Sequence, residues 1–191
     1  MELLHHTFSK HISITEQELT VVLNRMRKKT VKKKQYLLQA DQVAKDAAFV
    51  VSGCLRSYSI DDNGFEHILQ FAPQGWWITD MFSFISEQPG NLFIDAIENT
   101  ELLLLSRKDQ LALFDELPKL ERYFRIVTEK SLVNSRQRLV ENLSLTAKER
   151  YERFCNIYPT LINTLPQKQI ASFIGVTPEF LSKMKSQWLK G

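Results

Sequence analysis

Three spacings of apolar residues succeed one another along the chain. Leu19, Val22, Leu23 and Met26 recur at helical spacing, and Thr15-Glu16-Gln17-Glu18 ahead of them has the form of a capping box, which predicts a helix over 16–26. From Val31 to Leu105 the period falls to two. Strands are predicted at 35–38, 47–51, 55–60, 65–71, 76–78, 92–96 and 102–105. Between them lie Ser52-Gly53, Asp61-Asp62-Asn63-Gly64, Pro73-Gln74-Gly75 and Gln88-Pro89-Gly90. Asn63-Gly64 reads as a hairpin turn whose two positions both suit residues tolerant of positive φ. Along 65–71, Phe65, Leu69 and Phe71 share a face with His67. Short strands with evenly spaced turns predict an antiparallel sandwich or jelly roll.

After Ser106 the helical period returns. Ser106 with Asp109 caps a helix over 107–116, Pro118 breaks it, and 120–143 holds neither glycine nor proline. Ile126, Val133 and Val140 lie seven apart, as do Leu132 and Leu139. Two adjacent apolar rows suit burial against the roll on one side and a partner helix on the other, with packing inside one subunit as the competing reading. Thr146-Ala147-Lys148-Glu149 opens a further helix to about Ile157, and 159–166 links it to the end.

The last stretch, PQKQIASFIGVTPEFLSKMKSQWLKG, has the pattern of a helix-turn-helix. A first helix over 167–173 turns Ile170 and Ala171 inward, and Gly175 sits at the bend. Thr177 suits the N-cap of a second helix, Pro178 its first position, and Glu179 its positive end. Phe180, Leu181, Met184 and Trp188 are expected to form the packed face, with Ile170, Ile174, Val176, Leu181 and Met184 under the turn. Thr177, Pro178, Glu179, Ser182, Lys183 and Lys185 would then point outward. A second helix of this kind suits the major groove of DNA. An ordinary helical hairpin is the alternative.

Charge sharpens this reading. The chain carries a net +3, and Lys168, Lys183, Lys185 and Lys190 against Glu179 put a net +3 on the stretch from Pro166 alone. The surplus sits where phosphate would be met. The run RMRKKTVKKK from Arg25 is instead read as a solvated helix end leading into a strand. At 191 residues, 43% hydrophobic and 25% charged, the chain can bury a sizeable core as one or two domains. Cys54 and Cys155 have no metal or disulfide spacing and read as reduced packed thiols. No run is apolar enough to span a membrane and the start lacks a signal-peptide core, so no membrane role is expected and a cytoplasmic protein is.

A jelly roll, a long helix and a C-terminal helix-turn-helix together make the chain resemble the Crp/Fnr transcription regulators, the cyclic-AMP receptor type. The likeness is carried by Ser52-Gly53-Cys54-Leu55-Arg56, Asn63-Gly64 and the Phe71…Gly75…Asp80 stretch. It continues through 142–150 (NLSLTAKER) and 170–179 (IASFIGVTPE). The fold implied is α+β: an N-terminal antiparallel β jelly roll with flanking helices over 1–117, a dimerisation helix over 118–143 and an all-α helix-turn-helix domain over 144–191. The family pattern usually continues into a β-hairpin wing, which is expected to be absent here. The resemblance implies a homodimer on double-stranded DNA whose recognition helix, 178–189, reads half-sites about one helical turn apart, with RNA polymerase as a further partner. It aligns Pro178, Glu179 and Lys183 with base-reading positions. Glu179 suits a cytosine amino group, Lys183 suits guanine or phosphate, and Gln167, Lys168, Gln169, Ser182 and Lys185 suit phosphate. Phe124, Ile126, Val127, Val133 and Val140 are the dimer-interface candidates.

The family's ligand loop aligns with Gly75–Met81, and Asp80 stands where cyclic-nucleotide binders carry a glutamate. The arginine for the cyclic phosphate has no counterpart, since nothing basic except His67 occurs between Arg56 and Arg107. A buried phosphate needs a cation or converging amides, so control by cyclic AMP is not expected. Trp76, Trp77, Asp80 and Asn91 are candidate walls for a pocket holding an unknown small-molecule effector. Two cysteines are too few for an iron–sulfur cluster, and one histidine in the roll offers little to a haem or to a cupin-type enzyme metal. No cofactor, metal or catalytic residue is assigned. A ligand-sensing or protein-binding roll with vestigial DNA binding is the alternative function.

Overall fold

The computed structural model describes residues 2–187 in full and the backbone of Trp188. Leu189, Lys190 and the side chain of Trp188 lie outside the described residues. Contacts divide the chain into two units, Met1–Ser59 with Leu69–Glu129, and Ile60–Ile68 with Lys130–Gly191.

The first unit holds helices α1 (Glu2–Ser9), α2 (Glu16–Asn24), α3 (Met81–Ser86) and α4 (Arg107–Glu116) around a roll of eight strands, of which residues 60 and 66–68 are counted with the second unit. The strands are β1 (Arg27–Val31), β2 (Tyr36–Leu38), β3 (Asp46–Ser52), β4 (Cys54–Ile60), β5 (Glu66–Pro73), β6 (Trp77–Ile78), β7 (Phe93–Ala96) and β8 (Thr100–Ser106). They form two four-stranded sheets in the orders β1-β8-β3-β6 and β2-β7-β4-β5. The run Leu102-Leu103-Leu104-Leu105 shows how the unit is layered. Leu102 and Leu104 pack between the sheets with Val50, Leu55 and Ile94. Leu103 and Leu105 face the other way, onto Leu4, Phe8, Leu19, Val22, Leu113 and Leu120. A strand buried on both faces loses its polar alternation and reads as a continuous apolar run.

Three elements depart from expectation. Strand β1 begins earlier than expected, inside the basic run that reads as a helix end leading into a strand. It pairs antiparallel with β8, yet only Val31 of its five residues is buried. An outer strand with charged, solvent-facing side chains leaves no period-two signal, and lysines there discourage pairing with another chain. Helix α1 buries Leu4 and Phe8, one helical turn apart. Helix α3 interrupts the loop after β6, and Asp80 caps it by accepting from the Ser83 N–H.

The long helix α5 (Lys119–Ser144) follows Pro118. In the first unit its Leu120 and Tyr123 are fully buried, and Phe124 and Val127 pack on the same cluster. The second unit contains the rest of α5, then α6 (Ala147–Ile157), α7 (Gln167–Ile174) and α8 (Pro178–Trp188). The Thr146/Glu149 capping box forms in full, and these hydrogen bonds hold the Glu149 carboxyl below its usual range. The core of this unit is Tyr151, Phe154, Tyr158, Leu161, Leu165, Ile170, Ala171, Phe173, Ile174 and Leu181. Rings of Phe154, Tyr158 and Phe173 meet in pairs at 5.4–5.5 Å.

The hairpin turn also belongs to the second unit and differs from the expected form. Gly64 alone has positive φ (+79°), while Asn63 does not. Gly64 donates to Asp61 O, Asp61 N donates to Phe65 O, and the Asp61 carboxylate accepts from Asn63 N and Phe65 N. That is a type I turn closed by a left-handed glycine. His67 lies on the surface at 2.8 Å from the Asp61 carboxylate, and this contact holds Asp61 below the usual carboxylate range.

Candidate nucleic-acid interface

Helix α7 is amphipathic because Ile170, Ala171, Phe173 and Ile174 fall on one side, and all four are buried. Its fixed position comes from unusually many polar ties for a short helix. Ser172 Oγ donates to Glu66 O and accepts from Ile68 N. Arg138 donates to both Ile68 O and Phe173 O, with its guanidinium 4.0 Å over the Phe173 ring. Burial lowers the Arg138 pKa, and the two carbonyls and the ring offset part of that desolvation. Arg150 donates to Ile174 O and Leu145 O, supplying the end of α7 with a donor.

The turn follows from Gly175. Its φ of +71° and ψ of 42° lie in the left-handed region. Gly175 N–H donates to Ser172 O and Val176 N–H to Ala171 O, the paired bonds of a Schellman motif. Two residues later Thr177 begins α8: its hydroxyl accepts from Phe180 N–H and its carbonyl from Leu181 N–H. Pro178 then has no N–H to leave unpaired, and Glu179 complements the positive helix end.

On α8 Leu181 is completely buried and Met184 half-buried, so the outward face is Glu179, Phe180, Ser182, Lys183, Ser186 and Gln187. Two expectations are corrected. Phe180, assigned to the packed face, is 53% exposed. One residue is 100° on a helix, so with Leu181 at the centre of the buried side Phe180 turns to its edge. Lys185, assigned outward, is half-buried with its ammonium 5.2 Å over the Tyr151 ring. It stands one turn after Leu181 and shares that side. Of the phosphate candidates on α7, Gln167 and Lys168 are exposed. Gln169 is half-buried, and its Oε1 has no hydrogen-bond partner among the described residues. Thr177, Glu179, Ser182 and Lys183 are thus exposed at the start of α8, with Pro178 half-buried, while exposed Gln167 and Lys168 open α7.

On α5 the interface candidates divide. Phe124 and Val127 pack inward, Phe124 5.2 Å from the Trp77 ring. Ile126 is half-buried, while Val133 and Val140 are 64% and 55% exposed. Leu132, Leu139 and Leu143 are also exposed and extend the same apolar side. Leu132 and Leu139 were visible as a heptad pair. Leu143 went unassigned because nothing seven residues on repeats it.

The four pocket candidates do not gather. Trp77 donates from Nε1 to Tyr123 OH at 3.0 Å and packs on Phe49, on the helix-covered side of its sheet. Burial pushes the Tyr123 hydroxyl up to about 12. Trp76 and Asn91 are exposed. Asp80 is buried as a helix cap, its second oxygen has no hydrogen-bond partner among the described residues, and a Cβ on Gly90 would overlap that oxygen. Close approach of the 90–91 segment therefore requires glycine. A cavity of about 190 Å³ does lie in the roll, lined by Leu38, Val43, Ala44, Ile78, Ile94 and Leu104 with Lys29, Gln42, Lys45 and Thr79, but none of the four candidates borders it. Arg56 is engaged by Asp95 in a buried bidentate pair at 2.7 and 2.9 Å, beside Tyr58. Burial pushes the Cys54 thiol up to about 12, as for an inert packed thiol. Among the described residues no group of three or more His, Cys, Asp or Glu could hold a metal, and no helix is long and apolar enough to cross a membrane.

Residues 28–116 match the family described as the cyclic nucleotide-binding domain. No curated protein matches the sequence. Among solved structures, the c-di-GMP responsive global regulator CLP of Xanthomonas campestris superposes with a TM-score of 0.75 at 14% identity, covering 92% of each chain. The catabolite activator protein of Thermus thermophilus gives 0.62 at 20% identity, over 98% of this chain and 87% of that one. A transcriptional regulator assigned to the Crp/Fnr family from Eubacterium rectale gives 0.72 at 15% identity, over 93% and 85%. The fold is that of these regulators along nearly the whole chain, as the sequence resemblance implied.

Proposed function

We propose that this chain, a cyclic nucleotide-binding roll within the fold of Crp/Fnr regulators, is a homodimeric transcription regulator that reads a palindromic operator through α8. The observation that carries the reading is the outward face of α8. It presents Glu179, Ser182 and Lys183 to solvent on a helix held by a glycine turn against a buried α7. Exposed polar groups at the start of a second helix suit base edges, and Gln167 and Lys168 suit the flanking phosphates. The exposed row Leu132, Val133, Leu139 and Val140 supports pairing of two copies along α5, since such a row gains by burial against a second helix.

Cyclic AMP is not the proposed effector. Arg56 already has a carboxylate partner, Asp80 is a buried cap, and the aligned loop carries no arginine or lysine. Calorimetric titration with cyclic AMP is expected to show no binding heat, and clear micromolar binding would overturn that part of the proposal. The experiment for the function as a whole is selection of bound duplexes from a random pool. Two-fold-symmetric sites with half-sites about 10–10.5 base pairs apart are expected. Recovery of unenriched sequence would reject operator reading.

A further inference from the structure

We infer that Phe180 is a specificity-determining residue that reads a thymine through its 5-methyl group, beside the base met by Lys183. The inference rests on the proposed reading of α8 as a DNA-binding helix and adds one base to what that helix recognises. A single exposed apolar side chain is ordinary on a protein surface. Three observations set Phe180 apart.

The first is position. Phe180 lies in the opening turn of α8, its N–H bonded to the Thr177 hydroxyl that caps the helix. Residues of that turn are the ones a helix brings to base edges when it enters the major groove. The second is exposure. The ring is 53% exposed, although the adjacent Leu181 is fully buried and the unit has a formed aromatic core in Phe154, Tyr158 and Phe173. The ring is therefore presented to solvent beside a core that is already packed.

The third is company. At helical spacing Phe180 neighbours exposed Lys183 and Gln187 and half-buried Met184, while exposed Glu179 stands next to it. An exposed ring bordered on its outer side by polar and charged residues fits a surface that is itself mostly polar with isolated apolar points. The major groove is such a surface, and its apolar points are thymine methyl groups. The net charge of +3 on the segment from Pro166 favours a polyanion over an apolar protein patch as the occupant. Phe180 and Lys183 are three residues apart, a rise of about 4.5 Å, against about 3.4 Å per base pair. The thymine should lie within about two base pairs of the base nearest Lys183.

The test replaces each thymine of one half-site of the selected operator, in turn, by deoxyuridine, which lacks only the methyl group. Affinities of the full chain are compared at fixed salt by fluorescence anisotropy. The wild type should lose about fourfold at one position, the value of one buried methyl. Phe180→Ala should bind the thymine operator more weakly and no longer distinguish thymine from deoxyuridine there. Its thermal melting should match the wild type, because the ring is not part of the core. If the wild type binds its operator but no deoxyuridine weakens it, or if Phe180→Ala keeps the same discrimination, the inference fails while the DNA-binding reading stands. If the wild type prefers no duplex over another, the reading of α8 itself fails, and the inference with it.

Discussion

Helices α7 and α8 are neighbours of similar length, joined only by Gly175, Val176 and Thr177, yet their surfaces are used in opposite ways. Four residues of α7 are buried, and polar ties from Arg138, Arg150 and the Glu66–Ile68 backbone hold it. Among the described side chains of α8 only Leu181 is fully buried, and the outer side is a mixed row of acid, base, hydroxyl and aromatic. A helix anchored this firmly can support another whose side chains make few contacts of their own. The difference teaches where to look for function: on the helix whose packing explains least of its sequence.

Substitutions on the two helices should therefore separate stability from binding. Ile170→Ala, at a 1% exposed position of α7, is expected to cost about 2–5 kcal/mol of the stability of the second unit, read as an earlier urea transition. The same contrast between packed and displayed faces holds on α5. Val133→Asp with Leu139→Asp, both in solvent in the single chain, should weaken self-association by about 2–4 kcal/mol in sedimentation equilibrium. A dimer of unchanged strength would place the interface elsewhere. Lys183→Ala on α8 should weaken operator binding by about 1–3 kcal/mol and leave the melting temperature unmoved. Unchanged affinity would remove Lys183 from the base-reading set. Gly175→Ala probes the joint itself. No atom would crowd the added Cβ, so the cost is the left-handed backbone alone, about 1–2 kcal/mol by thermal melting.

Much of this was legible in the chain because the signals were local. Both Thr capping boxes, the Ser106 cap, the strand period and the glycine turn depend on residues within a few positions of one another, and each appears where the spacing put it. What was missed depends on partners far along the chain. The basic residues of β1 become a strand only because β8, more than 70 residues later, offers a free edge. Lys185 looked outward until Tyr151 supplied a ring for its ammonium. Phe180 looked inward because an apolar residue was assumed to need a core. The pocket candidates rest on an aligned loop, Gly75–Met81, whose residues are divided between strand β6 and the Asp80 cap of α3, which packs close to Gly90.

The most direct test of the central claim, that α8 displays a face for reading DNA sequence, is a ratio of two affinities at one physiological salt concentration. The operator recovered by selection is compared with a scrambled duplex of equal length and composition. Sequence reading through α8 predicts a ratio of about a thousandfold or more. Equal affinities, both falling together as salt rises, would mean that the basic segment meets phosphate alone and that the outer face of α8 reads nothing.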